Sequence, residues 1–251
     1  MLQSNQLIGF GAGDAGGGAF SVAAIALGSG TNFMDRSTDS ADVNTKNIII
    51  SFWFKMTGGD GAHQDIISGP VATERIRVRR NSSNVWDVRL LGTDGGDAKQ
   101  CVSTNSFTTA STWHHFLFAC SGTAVQMVID GSDVASVSIN SDVTLQHADA
   151  ERHIFAGDGS SNLCNMDVAE IYINTDETLD ISDSANVQKF RSAEGKPVDL
   201  GADGSTPTGN QPNSYFKADA STPANIVNNL GKGGNMSFTG TPAAASNSPS
   251  D

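Results

Sequence analysis

Cysteine is scarce and poorly placed for chemistry. The 251 residues include three, Cys101, Cys120 and Cys164. They are odd in number and far apart, so they form neither a disulfide framework nor a paired metal knuckle, and they are expected to be small buried side chains. Basic residues are outnumbered: 15 Lys and Arg against 27 Asp and Glu leave a net charge of −12. That field repels phosphate backbones and anionic membranes, so nucleic acid is not an expected partner. Charged residues make up only 17% of the chain, against about 25% on average, which excludes a coiled coil or a charge-rich helical protein. No run approaches the roughly 18 consecutive apolar residues of a membrane helix. The opening MLQSNQLIGFGAG has neither a basic leader nor an uninterrupted apolar stretch. A soluble chain without an export signal or membrane insertion is therefore expected. Trp and Tyr are also few, at three and two copies.

Glycine, by contrast, is abundant, with 27 copies concentrated partly in residues 1–30, which read as a Gly-rich N-terminal arm. Within it Gly11, Gly13 and Gly16 spell G-x-G-x-x-G. That pattern cradles a pyrophosphate only between a strand and a helix of a βαβ unit. Here more glycines follow at once and the apolar stretch after them is short, so a closely packed arm is the simpler reading.

From Asn47 the pattern has period two. Ile48, Ile50, Phe52 and Phe54 share one face of a strand, and Ile49, Ser51, Trp53 and Lys55 share the other, which implies cover on both faces near Trp53. Short strands are predicted over 65–68, 75–80, 85–91, 113–119, 123–129, 134–139, 153–156 and 168–173, separated by turn residues. Asp130-Gly131 is the dipeptide a tight hairpin prefers, because both central residues need positive φ. This spacing predicts an all-β, antiparallel two-sheet sandwich or jelly roll. A short helix follows, with Ile181, Ala185, Val187 and Phe190 as its stripe, Asp183 or Ser182 as its cap, and Gly195 and Pro197 as its stop. We divide the chain into the arm 1–30, a jelly roll 31–199 and an extended C-terminal tail 200–251 with docking strands. That tail contains the island Ser214-Tyr215-Phe216-Lys217 and the possible strand 236–238. Its end, TPAAASNSPSD, has a linker's composition and is expected to be held by something outside the domain.

Three segments resemble the laminin-G-like branch of the concanavalin A-like lectin/glucanase superfamily. Ile49-Ser51-Phe52-Trp53-Phe54-Lys55 is similar to that family's isfWvkp strand. Trp113-His114-His115-Phe116 with Val128-Ile129-Asp130-Gly131 is similar to its hairpin, and the run from Met166 to Ile173 to its terminal iDevriy strand. The resemblance implies two packed antiparallel sheets with Trp53 and Trp113 as core or rim aromatics. A second resemblance, of LQSNQLIGFGAG and of Asn213 to Asp219 before NLGKGGNMSFTGTP, is to virion proteins of tailed bacteriophages. It implies a lectin-like jelly roll carried on a particle surface.

Glycosidases of the superfamily carry carboxylates in an E-x-D-x-E-like strand, about 5 Å apart for retention. The nearest candidates, Asp167 and Glu170, are three apart and point to opposite faces unless a bulge intervenes. No enzyme activity is therefore expected. His114 and His115 face opposite ways on a strand and cannot chelate together. No cofactor is expected, with calcium kept open at Asp94, Asp97 and Asp158 in Gly-rich loops. Arg75, Arg77 and Arg79 fall on one face of a strand. They read either as a solvated face bridged to nearby acids or as a docking stripe for an acidic neighbour or an anionic glycan.

The expectation from sequence is a structural surface protein of a phage or phage-like particle, such as a capsid decoration protein, head fibre or spike. Leu7, Ile8 and Phe10, with Tyr215 and Phe216, would dock to capsid or tail proteins or to symmetry mates. A homo-oligomer, by analogy a trimer, is expected on the virion surface. The alternative is a module that binds host surface glycans, with Trp86 stacking on a sugar between Asn84 and Asp87; a glycan hydrolase is the third reading.

Overall fold

The computed structural model describes residues 20–36, 41–69, 76–148, 151–157 and 161–251. Its strands are β1 (Ile25–Ala26), β2 (Phe33–Arg36), β3 (Asn47–Met56), β4 (Gln64–Ser68), β5 (Ile76–Arg80), β6 (Val85–Leu91), β7 (Asp97–Ser106) and β8 (His114–Ser121). They continue with β9 (Ala124–Ile129), β10 (Ser132–Asp133), β11 (Ala135–Asn140), β12 (Arg152–Ile154), β13 (Met166–Asn174), β14 (Ser214–Phe216), β15 (Ser237–Thr239) and β16 (Ala243–Ala244). The helix α1 is one turn, Ser184–Val187, and Asp183 caps it by accepting from the Ala185 N–H at 2.9 Å. Among the described residues no helix is long and apolar enough to cross a membrane.

The strands form two antiparallel sheets. The first runs β10-β9-β8-β3-β13-β1-β16, with β14 also on β13; the second runs β11-β7-β6-β5-β4-β12-β2-β15. This is the two-sheet sandwich the alternation predicts. Between the sheets, Ile48, Ile50, Phe52 and Phe54 of β3 meet Trp86, Val88 and Leu90 of β6 and Phe116 and Phe118 of β8 in one apolar core. Trp86 lies edge-on to Phe52 and Phe54, with centroids 5.3 and 4.9 Å apart. The three cysteines are buried and free, and burial pushes the thiols of Cys101 and Cys120 up to about 12. The β9–β10 turn has positive φ at both Asp130 (53°) and Gly131 (80°), as its dipeptide requires.

The outer face of the first sheet is also buried, in two patches. Ile49, Leu117, Ala119, Val128, Tyr172 and Tyr215 pack under Ile181, Val187, Phe190 and Leu200 from the segment around α1. Trp53 and Ala169 pack under Val22 and Ala24, with Phe20, Trp113 and Ala245 alongside. This explains why β3 is apolar on both faces.

Residues 200–251 are not an appendage held from outside. They supply β14 and β16 to the first sheet and β15 to the second. β1 pairs with β16 through Ile25↔Ala244 and Ala26↔Ala243, and the Val22 N–H donates to Ser250 Oγ at 2.9 Å. Tyr215 and Phe216 are fully buried in β14, paired with Tyr172 and Ile171 of β13. The expectation that they dock to another subunit is therefore wrong; the small polar residues around them misled, because the apolar pair completes this sheet. Leu7, Ile8, Phe10 and the glycine motif at 11–16 lie outside the described residues.

Candidate functional site

β13 carries the two carboxylates, Asp167 and Glu170, that stand nearest the superfamily's catalytic pattern. β13 carries a bulge against β3: the register shifts between Ala169 and Tyr172, and Glu170 takes a positive φ of 47°. The bulge turns Glu170 toward Tyr215 on the outer face, the face where Asp167 pairs with Lys55, so the alternation that would have separated the two acids is broken. Neither is open to a substrate, however. Asp167 is 5% exposed and pairs with Lys55 at 2.7 Å, and Lys55 also donates to Asn247 Oδ1 at 2.6 Å. Trp113 Nε1 donates to the same Asn247 oxygen at 3.1 Å. Glu170 is 2% exposed and accepts from the Tyr215 hydroxyl at 2.8 Å. Burial pushes its carboxyl up to about 7, against the lowering effect of the Tyr215 hydrogen bond. The C-terminal segment thus closes over both acids.

His114 and His115 do face opposite ways. His115 packs against Trp53 on the outer face, its Nε2 2.9 Å from Ser51 Oγ, while His114 packs beside Phe54 and Phe107. Ser51 and His115 are both buried, and the Asp130 carboxylate reaches the backbone N–H of His115 rather than its ring. The three do not line up as a nucleophile, base and orienting acid. Burial, with the Arg191 charge second, pushes the His115 imidazole down to about 3.

The proposed sugar-stacking residue Trp86 is fully buried. Trp86 as a glycan contact is therefore wrong: it points inward on β6, where alternation places it with Val88 and Leu90. Its neighbours are committed as well. Asn84 Oδ1 accepts from Arg80 and from the Gly61 N–H, at 2.8 and 2.9 Å, and Asp87 pairs with Arg77 at 3.2 Å. The arginine row is likewise no docking stripe. Arg77 and Arg79 are 11% and 13% exposed at the side chain, and Arg79 forks onto the buried Asp65. Acids of the flanking strands neutralise this face, and Arg75 lies outside the described residues. Of the calcium candidates, Asp94 accepts from the Gly96 N–H in its own turn and Asp97 pairs with Arg89 at 2.6 Å; Asp158 lies outside the described residues. Among the described residues no three His, Cys, Asp or Glu side chains gather as metal ligands.

What sequence reasoning missed is a cleft of about 450 Å³ between the β9–β10 hairpin and the segment around α1. Val128, Ile181 and Val187 form its apolar floor, and Asp130, Asp133, Gln188 and Arg191 bring polar groups to it. Asp130 is fixed by His114 Nδ1 at 2.6 Å and by the His115 N–H at 2.9 Å. Burial pushes its carboxyl up, but those hydrogen bonds and the charges of His114 and Arg191 outweigh it and hold the carboxyl below its usual range. Arg191 follows α1 and sits half-buried between Gly131 and Gly195, both at positive φ. Gly131 was legible as a turn residue; that it also leaves room for a guanidinium was not.

A family model described as the concanavalin A-like lectin/glucanases superfamily matches residues 29–170. Among solved structures, a heptameric SAP-like pentraxin from Limulus polyphemus aligns at 10% identity over 66% of this chain and 81% of its own, with a TM-score of 0.48. The binding domain of botulinum neurotoxin DC in complex with SialylT aligns at 14% identity over 57% of this chain, 34% of its own length, with a TM-score of 0.42. The receptor binding domain of botulinum neurotoxin mosaic serotype C/D aligns at 15% identity over 63% of this chain and 42% of its own, with a TM-score of 0.43. No curated protein matches the chain in sequence.

Proposed function

The chain belongs to the concanavalin A-like lectin/glucanases superfamily, and from that premise we propose that it is a non-catalytic, lectin-like surface module of a bacteriophage or phage-like particle. The observation that carries the non-catalytic part is the closure of β13 by the C-terminal segment. Lys55 neutralises Asp167, and Tyr215 caps Glu170, both out of reach of a glycosidic bond. The virion part is supported by the resemblance of LQSNQLIGFGAG and of the Asn213–Asp219 stretch to phage virion proteins. Because Tyr215 and Phe216 are consumed by the sandwich, anchoring falls to the N-terminal stretch with Leu7, Ile8 and Phe10. Burying such side chains contributes roughly 1.5–3 kcal/mol each before ordering costs.

The test is quantitative mass spectrometry of density-purified particles, with the intact chain and with a deletion of residues 2–12. The expected result is stoichiometric incorporation of the intact chain and loss of the deletion variant, which still melts cooperatively. Absence of the intact chain from particles sinks the virion reading, and normal incorporation of the deletion sinks the anchor. Turnover of any glycan that disappears in Glu170→Gln would overturn the non-catalytic reading.

A second reading, glycan binding, is favoured by one feature: the cleft beside α1 combines an apolar floor with convergent polar groups, the usual make-up of a small-ligand site.

A further inference from the structure

Arginine side chains that are half-buried normally have their donors met, since five fixed N–H groups are costly to leave unpaired. Arg191 is an exception. Its Nε is buried without a partner, and among the described residues no hydrogen bond or ion pair engages the guanidinium. The Asp130 carboxylate feels the Arg191 charge but makes no ion pair with it; its oxygens accept from His114 and from the His115 N–H and keep lone pairs free. The guanidinium is nonetheless held in place. A Cβ on Gly195 would come within 2.7 Å of Nη2, and one on Gly131 within 3.3 Å of Nη1, so two positive-φ glycines form a slot around it.

Resting on the glycan-binding reading, we propose that this cleft binds a carboxylate-bearing sugar, with Arg191 as the fork that receives the carboxylate. A planar carboxylate matches the guanidinium in a two-point, charge-assisted pair. The neighbouring Asp130 and Asp133 argue against a phosphate dianion, which both would repel, and in favour of sugar hydroxyls, whose protons carboxylates accept. Gln188, exposed just after α1, adds an amide at the rim. Val128, Ile181 and Val187 present the apolar floor that the C–H face of a pyranose ring requires. The net charge of −12 works against any anion at long range, so binding depends on this one local cation.

The test uses the full chain and three probes, D-glucuronate, D-glucose and acetate, in NMR titrations, with N-acetylneuraminate as a second acidic sugar. Glucuronate or N-acetylneuraminate is expected to bind at least about tenfold more tightly than glucose, and Arg191→Gln to abolish that preference, consistent with loss of a bidentate charged pair. Arg191→Lys keeps the charge without the fork and is expected to fall between the two. Equal binding of glucose and the acidic sugars overturns the inference and leaves the lectin reading standing. Acetate competing as well as glucuronate overturns the sugar assignment. No binding of any sugar overturns this inference and the glycan-binding reading together. The preference is measured on the unaltered chain, so a variant that fails to fold does not protect the proposal.

Discussion

The phenol of Tyr215 in β14 donates a 2.8 Å hydrogen bond to Glu170 in the bulge of β13, 45 residues earlier in the chain. The two are buried together, so the C-terminal segment is part of the cooperative unit. Tyr215→Phe leaves Glu170 without its donor and is expected to cost about 1–3 kcal/mol. Deleting residues 200–251 removes β14, β15 and β16 and uncovers Tyr172 and Trp53; no cooperative thermal transition is expected. A deletion protein that melts within a few degrees of the full chain would show that these strands are dispensable.

Glu170 also makes stability depend on pH in an unusual direction. Its carboxyl is raised from 4.5 to about 7 by burial, so the folded state holds the proton that the unfolded state releases. Its contribution is full below pH 4.5 and is lost as pH rises through about 7. His115 and His147 work oppositely: burial lowers both from 6.5 to about 3. Their contribution is full above pH 6.5 and is lost as pH falls through about 3. Denaturant midpoints across pH 3–9 are expected to rise from pH 3 toward about 6.5, where the two histidines outweigh Glu170, and to level off near pH 7. Glu170→Gln is expected to steepen the rise between pH 4.5 and 7 and to raise stability at pH 8 by on the order of 2 kcal/mol. An unchanged profile in that variant would show that Glu170 is ionised in the fold.

Trp86 marks the difference between a core and a contact residue. Trp86→Ala is expected to cost roughly 3–5 kcal/mol by opening a cavity among Phe52, Phe54 and Phe116. Its sugar preference, measured below the melting temperature, is expected to match the parent's. A stable variant with selectively lost sugar binding would return Trp86 to the surface.

The pair Lys55–Asp167 predicts a non-additive result. Both side chains are 7% exposed. Lys55→Met alone strands a buried carboxylate and is expected to cost about 3–5 kcal/mol, whereas Lys55→Met with Asp167→Leu recovers most of it. Additive losses in a double-mutant cycle would deny the coupling.

The strands easiest to read were those whose residues obey strict alternation. β6 begins and ends where its pattern does, at Val85 and Leu91, and the two-sided burial of β3 was visible in its paired apolar rows. β7 was not seen, although its ten residues occupy an interior position in the second sheet, because its inward face offers only small groups such as Ala98 and Cys101. The bulge at Glu170 was unmarked, since no glycine announces its positive φ. The cleft escaped for a different reason. Val128 and Asp130 are about sixty residues from Arg191 in sequence and become its neighbours only when the segment around α1 folds onto the outer face.

The pairing of β1 with β16 also sets the order in which the molecule can be made. Ile25 and Ala26 find their edge partners at Ala244 and Ala243, and Val22 its acceptor at Ser250, 228 residues away. A folding chain must hold one edge of Ile25 and Ala26 unpaired until residues 243–250 dock. Assembly therefore waits on contacts of high sequence separation, and the partly folded chain, with the outer face of its first sheet uncovered, is the species most exposed to aggregation.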